Sequence, residues 1–281
     1  MKKLLLTLII SLFCINLYSQ SADELFSQSI KYANSKDYKN AEKTTKELLK
    51  KYPDNKDNYL YWNNLGAFQS NQGNNKSALK SFTKSFELNN KYDVALLNRA
   101  KTYRDLKETD KAIIDYKKVI EINGENSEAI FDLALVYSYK EDYAHARECY
   151  EKAIALDPEE SYGAKLNLAQ IKRKQGFYEE ALTDLDKVLE KIPTNENLYE
   201  NRGYLYNSRA DILMYLKRYD EAFEYIEMSL SIEPEYTTAI ITKGEIYYFQ
   251  GDYGNACIFF NLALSKGAPK EKLDKYMKNC K

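Results

Sequence analysis

Asn64, Asn98, Asp132, Asn167 and Asn201 follow one another at intervals of 34 or 35 residues, with Ser27 and Thr242 continuing the series at its two ends. A carboxamide carries a donor and an acceptor on one short arm. It can therefore pair with the N–H and C=O of an extended peptide whatever the side chains of that peptide. Such a series suits recognition. Catalysis finds little to work with. His145 is the only histidine and has no partner at a metal-ligand spacing, so it reads as a surface residue. The chain has no phosphate-cradling glycine loop, nucleophile elbow or H-E-x-x-H segment. Glu159-Glu160 and Glu179-Glu180 read as solvated helix starts favoured by the helix dipole. The expectation is a protein that is not an enzyme, with no cofactor and no metal site.

The first residues form a separate object. Met1-Lys2-Lys3 is a positive start, Leu4 to Leu17 is a mostly apolar run, and Tyr18-Ser19-Gln20 follows. The run is short for a transmembrane helix of about 20 residues and fits a secretory signal over 1–19, cut after Ser19 or kept as an anchor. The place expected for the protein is then the periplasm or the cell exterior, with no membrane span in the mature chain. Cys14 would leave with the leader, and Cys149, Cys257 and Cys280 would remain in a compartment that permits a disulfide. Cys257 and Cys280 stand about ten and twelve residues from a turn expected at Gly267-Ala268. At about 1.5 Å per residue they come nearly level on two antiparallel helices. A bridge there would staple the end of the chain, and two buried thiols are the other reading. Cys149, beside Tyr150, reads as a packed or half-exposed residue.

The elements that must position these groups are marked by Ala41, Ala78, Ala112, Ala146, Ala181, Ala222 and Ala256, separated by 37, 34, 34, 35, 41 and 34 residues. A period near 34 implies stacked helix pairs, since one pair cannot bury its apolar faces alone. With the alanine at the twentieth place, repeats begin near 22, 59, 93, 127, 162, 196 and 237. Small residues at the eighth and twentieth places let paired helices approach, an aromatic at the twenty-fourth (Phe82, Tyr116, Tyr150, Phe260) fills the gap, and Pro53, Pro158, Pro193 and Pro234 close second helices. Gly73, Gly176 and Gly251 fall at the turns within pairs. Ser21-Ala22-Asp23-Glu24 reads as a capping box at the start of the first helix. The sixth repeat carries seven extra residues, placed at Asn207 to Leu213. Shared between its helices, they would lengthen each by about one turn, roughly 5 Å. Residues 22–268 thus form one repeat array, and the Lys-rich 269–281 a capping helix. The formal net charge of −1 gives no support to nucleic-acid binding.

Trp62-Asn63-Asn64-Leu65-Gly66 with Ala78 and Phe82, and Leu133-Ala134, Tyr137, Ala146, Tyr150 and Asp157-Pro158, resemble the tetratricopeptide repeat family and its W-x2-L-G-x2-Y, A-x3-F and closing P. The resemblance implies an all-α, right-handed superhelical solenoid of about seven hairpins. It also implies that the sixth place of each first helix faces a concave groove. Asn64, Asn98, Asp132, Asn167 and Asn201 would then form a ladder for a peptide backbone, as in the repeat region that protein O-GlcNAc transferases carry. Lys101, Arg104, Arg173 and Lys174 would add positive charge, Leu97, Phe131, Leu135 and Tyr139 apolar surface, and Ile241, Glu245, Tyr248 and Phe249 an apolar end with one acid. The functional expectation is an exported scaffold gripping a protein or peptide partner in its groove. The second class is a structural subunit of an envelope assembly, docking by its convex face or by the extended sixth repeat. Partner and oligomeric state are not written in the residues.

Overall fold

The computed structural model describes residues 20–280; the expected leader, 1–19 with Cys14, lies outside them. Among the described residues there are sixteen α-helices and no strand, and no helix is long and apolar enough to cross a membrane. The chain divides into two compact halves between Lys140 and Glu141. In the N-terminal half α1 (Ala22–Asn34) pairs with α2 (Tyr38–Lys51), α3 (Asn58–Asn71) with α4 (Asn75–Leu88), and α5 (Asp93–Asp105) with α6 (Thr109–Ile122), while α7 (Ser127–Tyr139) ends it. The C-terminal half opens on α8 (Tyr143–Leu156). There α9 (Tyr162–Lys174) pairs with α10 (Tyr178–Leu189), and a 3₁₀ turn, Ile192–Thr194, leads to the short α11 (Glu196–Glu200). Then α12 (Arg202–Tyr215) pairs with α13 (Tyr219–Ile232), α14 (Thr237–Gln250) with α15 (Tyr253–Ser265), and α16 (Lys270–Met277) closes the half.

The residue types explain the pairs. All seven marker alanines are fully buried. A methyl added to Gly66 would lie 2.6 Å from the Phe82 ring, and one added to Gly244 would lie 2.7 Å from the Phe260 ring. The eighth place is therefore small because a ring from the second helix already fills the space. Ala100 and Ala134 stand there with Tyr116 and Tyr150 at the twenty-fourth place, and Ala169 and Ala210 with Leu185 and Ile226. The expected capping box is formed: Ser21 N–H donates to Glu24 Oε2 (2.8 Å) and Glu24 N–H to Ser21 Oγ (3.2 Å).

The fifteenth residue of each repeat adopts left-handed backbone: Lys36, Gly73, Lys107, Glu141, Gly176, Lys217 and Gly251. The next N–H then reaches back five residues, as Glu108 to the Tyr103 carbonyl and Arg218 to that of Leu213, both at 2.9–3.0 Å. This satisfies a carbonyl that the helix end leaves unpaired.

The sixth repeat departs from expectation. Its two helices are each 14 residues, like α3 and α4, so neither is lengthened. The seven extra residues precede the repeat, which begins at Gly203 rather than Glu196. The reason is local: Asn195 caps α11 through the Leu198 N–H, Leu198 and Ile192 turn into the core, and the helix breaks at Asn201. One bond fixes the register. Ser229 Oγ donates to the Gly203 carbonyl (2.7 Å), as Ser85 Oγ donates to that of Tyr59 (2.6 Å), twenty-seventh place to first in both repeats.

Leu273 and Tyr276 of α16 are buried against Phe260, and Cys257 and Cys280 are joined by a disulfide at the end of this cluster. Cys149 takes no part in it and is half-buried.

Candidate functional site

In both halves the first helices of successive repeats are close neighbours, α3 with α5, α5 with α7, and α12 with α14, while the second helices stand further apart. The first-helix layer is thus the inner side of each half, and it holds most of the residues singled out from the sequence.

In the N-terminal half these residues are largely engaged with one another. Asn64 Nδ2 donates to the Leu60 carbonyl of its own helix (2.9 Å), and Asn98 Nδ2 to Asn63 Oδ1 (3.0 Å). Asp132 is buried and accepts from Arg104 Nη1 (2.6 Å) and from the Tyr116 hydroxyl (3.0 Å). Burial and then the Asp132 charge push the Tyr116 hydroxyl well above the usual tyrosine range. Lys101 pairs with Glu128 at 2.5 Å. A small cavity of 270 Å³ opens at the α5 and α7 ends, lined by Arg104, Asp105, Leu135, Val136 and Tyr139. Leu97 is buried and Tyr139 is 67% exposed.

The C-terminal half carries a different row. Arg173 Nε lies 3.1 Å from Asp211 Oδ2, bridging α9 to α12. On α14, Glu245 accepts from the Tyr276 hydroxyl of α16 (2.7 Å). Burial pushes the Asp211 carboxyl up against the pull of Arg173. Burial also pushes Glu245 up, opposed by the Tyr276 hydrogen bond and reinforced by the Asp211 charge. Aromatic rings edge the row. Tyr178 stacks on Tyr215 at 5.0 Å between centroids, Tyr215 lies 6.2 Å from Phe249, and Tyr248 lies 4.9 Å from Tyr276. The Arg173 guanidinium is 5.9 Å from the Tyr215 ring. Tyr215 and Phe249 keep 40% and 46% of their surface exposed.

The expected ladder is therefore not continuous. Asn167 is half-buried and makes no side-chain hydrogen bond to the described residues. Asn201 is off the register altogether: exposed at the α11–α12 junction, it folds back onto the Asn197 carbonyl and Oδ1, both at 2.8 Å. Ser208, buried, takes the sixth place of that repeat, and Thr242 bonds to the Thr238 carbonyl of its own helix. Asp211 and Tyr215 were hidden by the misplaced register. Ser229, answering Ser85, is the sequence signal that could have corrected it. Among the described residues no group of His, Cys, Asp and Glu is placed to hold a metal ion. His145 is exposed, with its Nδ1 2.8 Å from Asp142 Oδ2.

Stacked helix pairs with a polar and aromatic inner layer define a helical repeat protein of the scaffold class. The chain belongs to the tetratricopeptide repeat family: residues 93–159 and 161–235 match one family pattern described as Tetratricopeptide repeat, and 59–92 and 237–265 match another with the same description. It is 31% identical over 176 residues to the TPR repeat-containing protein MJ1428 of Methanocaldococcus jannaschii, an alignment covering 62% of this chain and 30% of that protein. The chain spans from 25% to 40% of the length of three curated relatives. A solved tetratricopeptide repeat protein from Parabacteroides merdae is 27% identical with a TM-score of 0.69, covering 93% of this chain and 99% of its own. YrrB, described as a TPR protein with an unusual peptide-binding site, shares the fold at 22% identity and a TM-score of 0.53, over 67% of this chain and 93% of its own. The fold is that of a protein–protein interaction scaffold.

Proposed function

We propose that this chain is an exported scaffold that holds an extended or helical segment of a partner protein along its first-helix layer. The observation that carries the reading is the Arg173–Asp211 and Glu245–Tyr276 row with Tyr215 and Phe249 exposed at its edge. Rings of this kind give contact area at small entropic cost, and a few placed polar groups fix the direction of what binds. Export is supported by the Met1-Lys2-Lys3 leader pattern and by the Cys257–Cys280 disulfide, which persists in an oxidising compartment.

A photo-crosslinking residue in place of Phe249, compared with one in place of Ile114 on α6, tests the site. The expected result is a partner captured from position 249 and none from 114. Capture from 114 alone would refute the inner layer and favour the second reading, a subunit of an envelope assembly docked by its second-helix face. Ile114 and Ile258, 67% and 61% exposed on second helices, are what favours that alternative. Cell fractionation with N-terminal sequencing tests export: a mature chain beginning at Gln20 in the envelope or medium is expected, and an intact Met1 in the cytoplasm would overturn it.

A further inference from the structure

The second-helix side of the N-terminal half has a pocket of its own, 650 Å³, between α2 and α4 over part of α3. Leu49, Trp62 and Leu65 make an apolar floor. Two rails of cations flank it, Lys46 and Lys50 on α2, Lys80 and Lys84 on α4. Each rail has four-residue spacing, so its charges lie on one face of its helix, about 6 Å apart. Lys46 is paired with Glu42 and Lys84 with Glu87. Lys50 and Lys80 are exposed and have no carboxylate partner among the described residues. The charge is concentrated: α2 and α4 together hold eight lysines and three glutamates in a chain whose net charge is −1.

The compensating acid is also concentrated. α13 holds Asp220, Glu221, Glu224 and Glu227 and no basic residue. Asp220, Glu224 and Met228 repeat at four-residue spacing and are all exposed, Met228 by 41%. Neither Asp220 nor Glu224 has an ion-pair partner among the described residues. The α13 face thus offers what the pocket lacks: acids at the spacing of the rails, beside an apolar side chain for the Leu49–Trp62–Leu65 floor.

We propose that the pocket between α2 and α4 receives α13 of a second copy of this chain. The contact is head-to-tail, because pocket and α13 are different surfaces. Each copy added leaves one of each unoccupied, and assembly continues until a ring closes or an open chain forms. It uses the second-helix side, so the proposal stands apart from the reading of the first-helix layer.

Trp62 is the only tryptophan of the chain and lies in the pocket floor, so its emission reports occupancy directly. Sedimentation velocity and Trp62 emission would be followed together over protein concentration and salt. Mass above that of one chain is expected at low salt, with a matching change in emission, both reversed as screening shortens the reach of the charges. Lys50→Glu/Lys80→Glu and Asp220→Lys/Glu224→Lys should each raise the dissociation constant at least about tenfold, attraction being replaced by repulsion at two pairs. An equimolar mixture of the two variants should associate again, since each supplies the surface the other has lost. Circular dichroism of both variants establishes that they fold. A chain that stays monomeric at low salt overturns the proposal, as does association that survives either charge reversal. A monomer whose Trp62 emission answers poly-L-glutamate but not its own concentration overturns it in favour of a foreign acidic segment.

Discussion

A single methyl group tests whether the repeat works as described. At Gly66 an added Cβ would stand 2.6 Å from Cδ1 and Cε1 of Phe82 and 3.0 Å from Cζ. Two opposing effects set the outcome. Alanine is better than glycine inside a helix by about 1 kcal/mol, whereas overpacking a filled core costs about 1–3 kcal/mol. The crowding wins, so Gly66→Ala should destabilise by about 1 kcal/mol net. Phe82→Leu alone should also destabilise, by leaving a cavity. In that background the methyl has room, because Ala with Leu or Ile is the pair that repeats five and six use at the same places. Gly66→Ala should then become neutral or stabilising, giving a coupling of about 1–2 kcal/mol. A repeat array is not strictly two-state, so urea midpoints by circular dichroism should be read beside hydrogen exchange in α3 and α4. Gly244 should show the larger penalty, since its added methyl also meets Phe259 Cβ at 3.3 Å, an atom that moves only with its backbone. A Gly66→Ala variant more stable than wild type, or a cycle that closes additively, would refute the packing argument.

Four further outcomes are expected. Lys107→Gly and Lys217→Gly relieve left-handed backbone at φ 61° and 60°. Each should stabilise by about 0.5–1 kcal/mol after the entropy glycine adds to the unfolded chain; a lowered urea midpoint would count against strain there. Glu245 has its carboxyl pushed up, so the folded state binds its proton more tightly than the unfolded state does. Its contribution is fully present below the ordinary range near pH 4.3 and is lost as pH rises through the folded value. Glu245→Gln, which keeps an acceptor for Tyr276, should therefore stabilise above neutrality and lose that advantage near pH 4, as thermal melts across pH would show. Reducing Cys257–Cys280, 23 residues apart, removes about 3 kcal/mol of constraint and should raise hydrogen exchange in α16 first; unchanged exchange over Lys270–Met277 would deny the staple. Ser229→Ala should cost about 1 kcal/mol by removing the buried hydrogen bond to the Gly203 carbonyl, and Asn201→Ala under about 0.5 kcal/mol; the reverse order in denaturant titration would restore the register beginning at Glu196.

The fold was largely legible because its signals repeat. One alanine is ambiguous, but seven in phase, each fully buried, state where two helices touch. The turns were half legible. Glycine announces left-handed backbone at 73, 176 and 251, yet Lys36, Lys107, Glu141 and Lys217 adopt it too, and those residue types carry no such signal. There the geometry of the hairpin overrides local preference. The insertion was misplaced for a related reason. Asn201 and Gly203 imitate the polar sixth and small eighth places, while the true holders, Ser208 and Ala210, are too ordinary to stand out.

The site was legible in position and not in chemistry. A residue's place in the repeat tells which layer it belongs to, and Arg104, Asp132, Arg173 and Glu245 do lie in the first-helix layer. What a side chain can offer a partner depends on what its neighbours have already taken, and those neighbours are 16 to 35 residues away in sequence. Asp132 is taken by Arg104 and Tyr116, and Asn98 reaches Asn63. In the C-terminal half the balance reverses. Asp211 and Glu245 are held partly out of water, and Arg173 and Tyr276 offset that burial without cancelling it, so both carboxyls remain pushed up. A partner that brings a donor or a positive group beside Tyr215 and Phe249 would relieve that cost. A partner bringing a further acid would increase it. On the proposed reading, the selectivity of the inner layer would follow from the incomplete compensation of these two carboxylates more than from the carboxamide series.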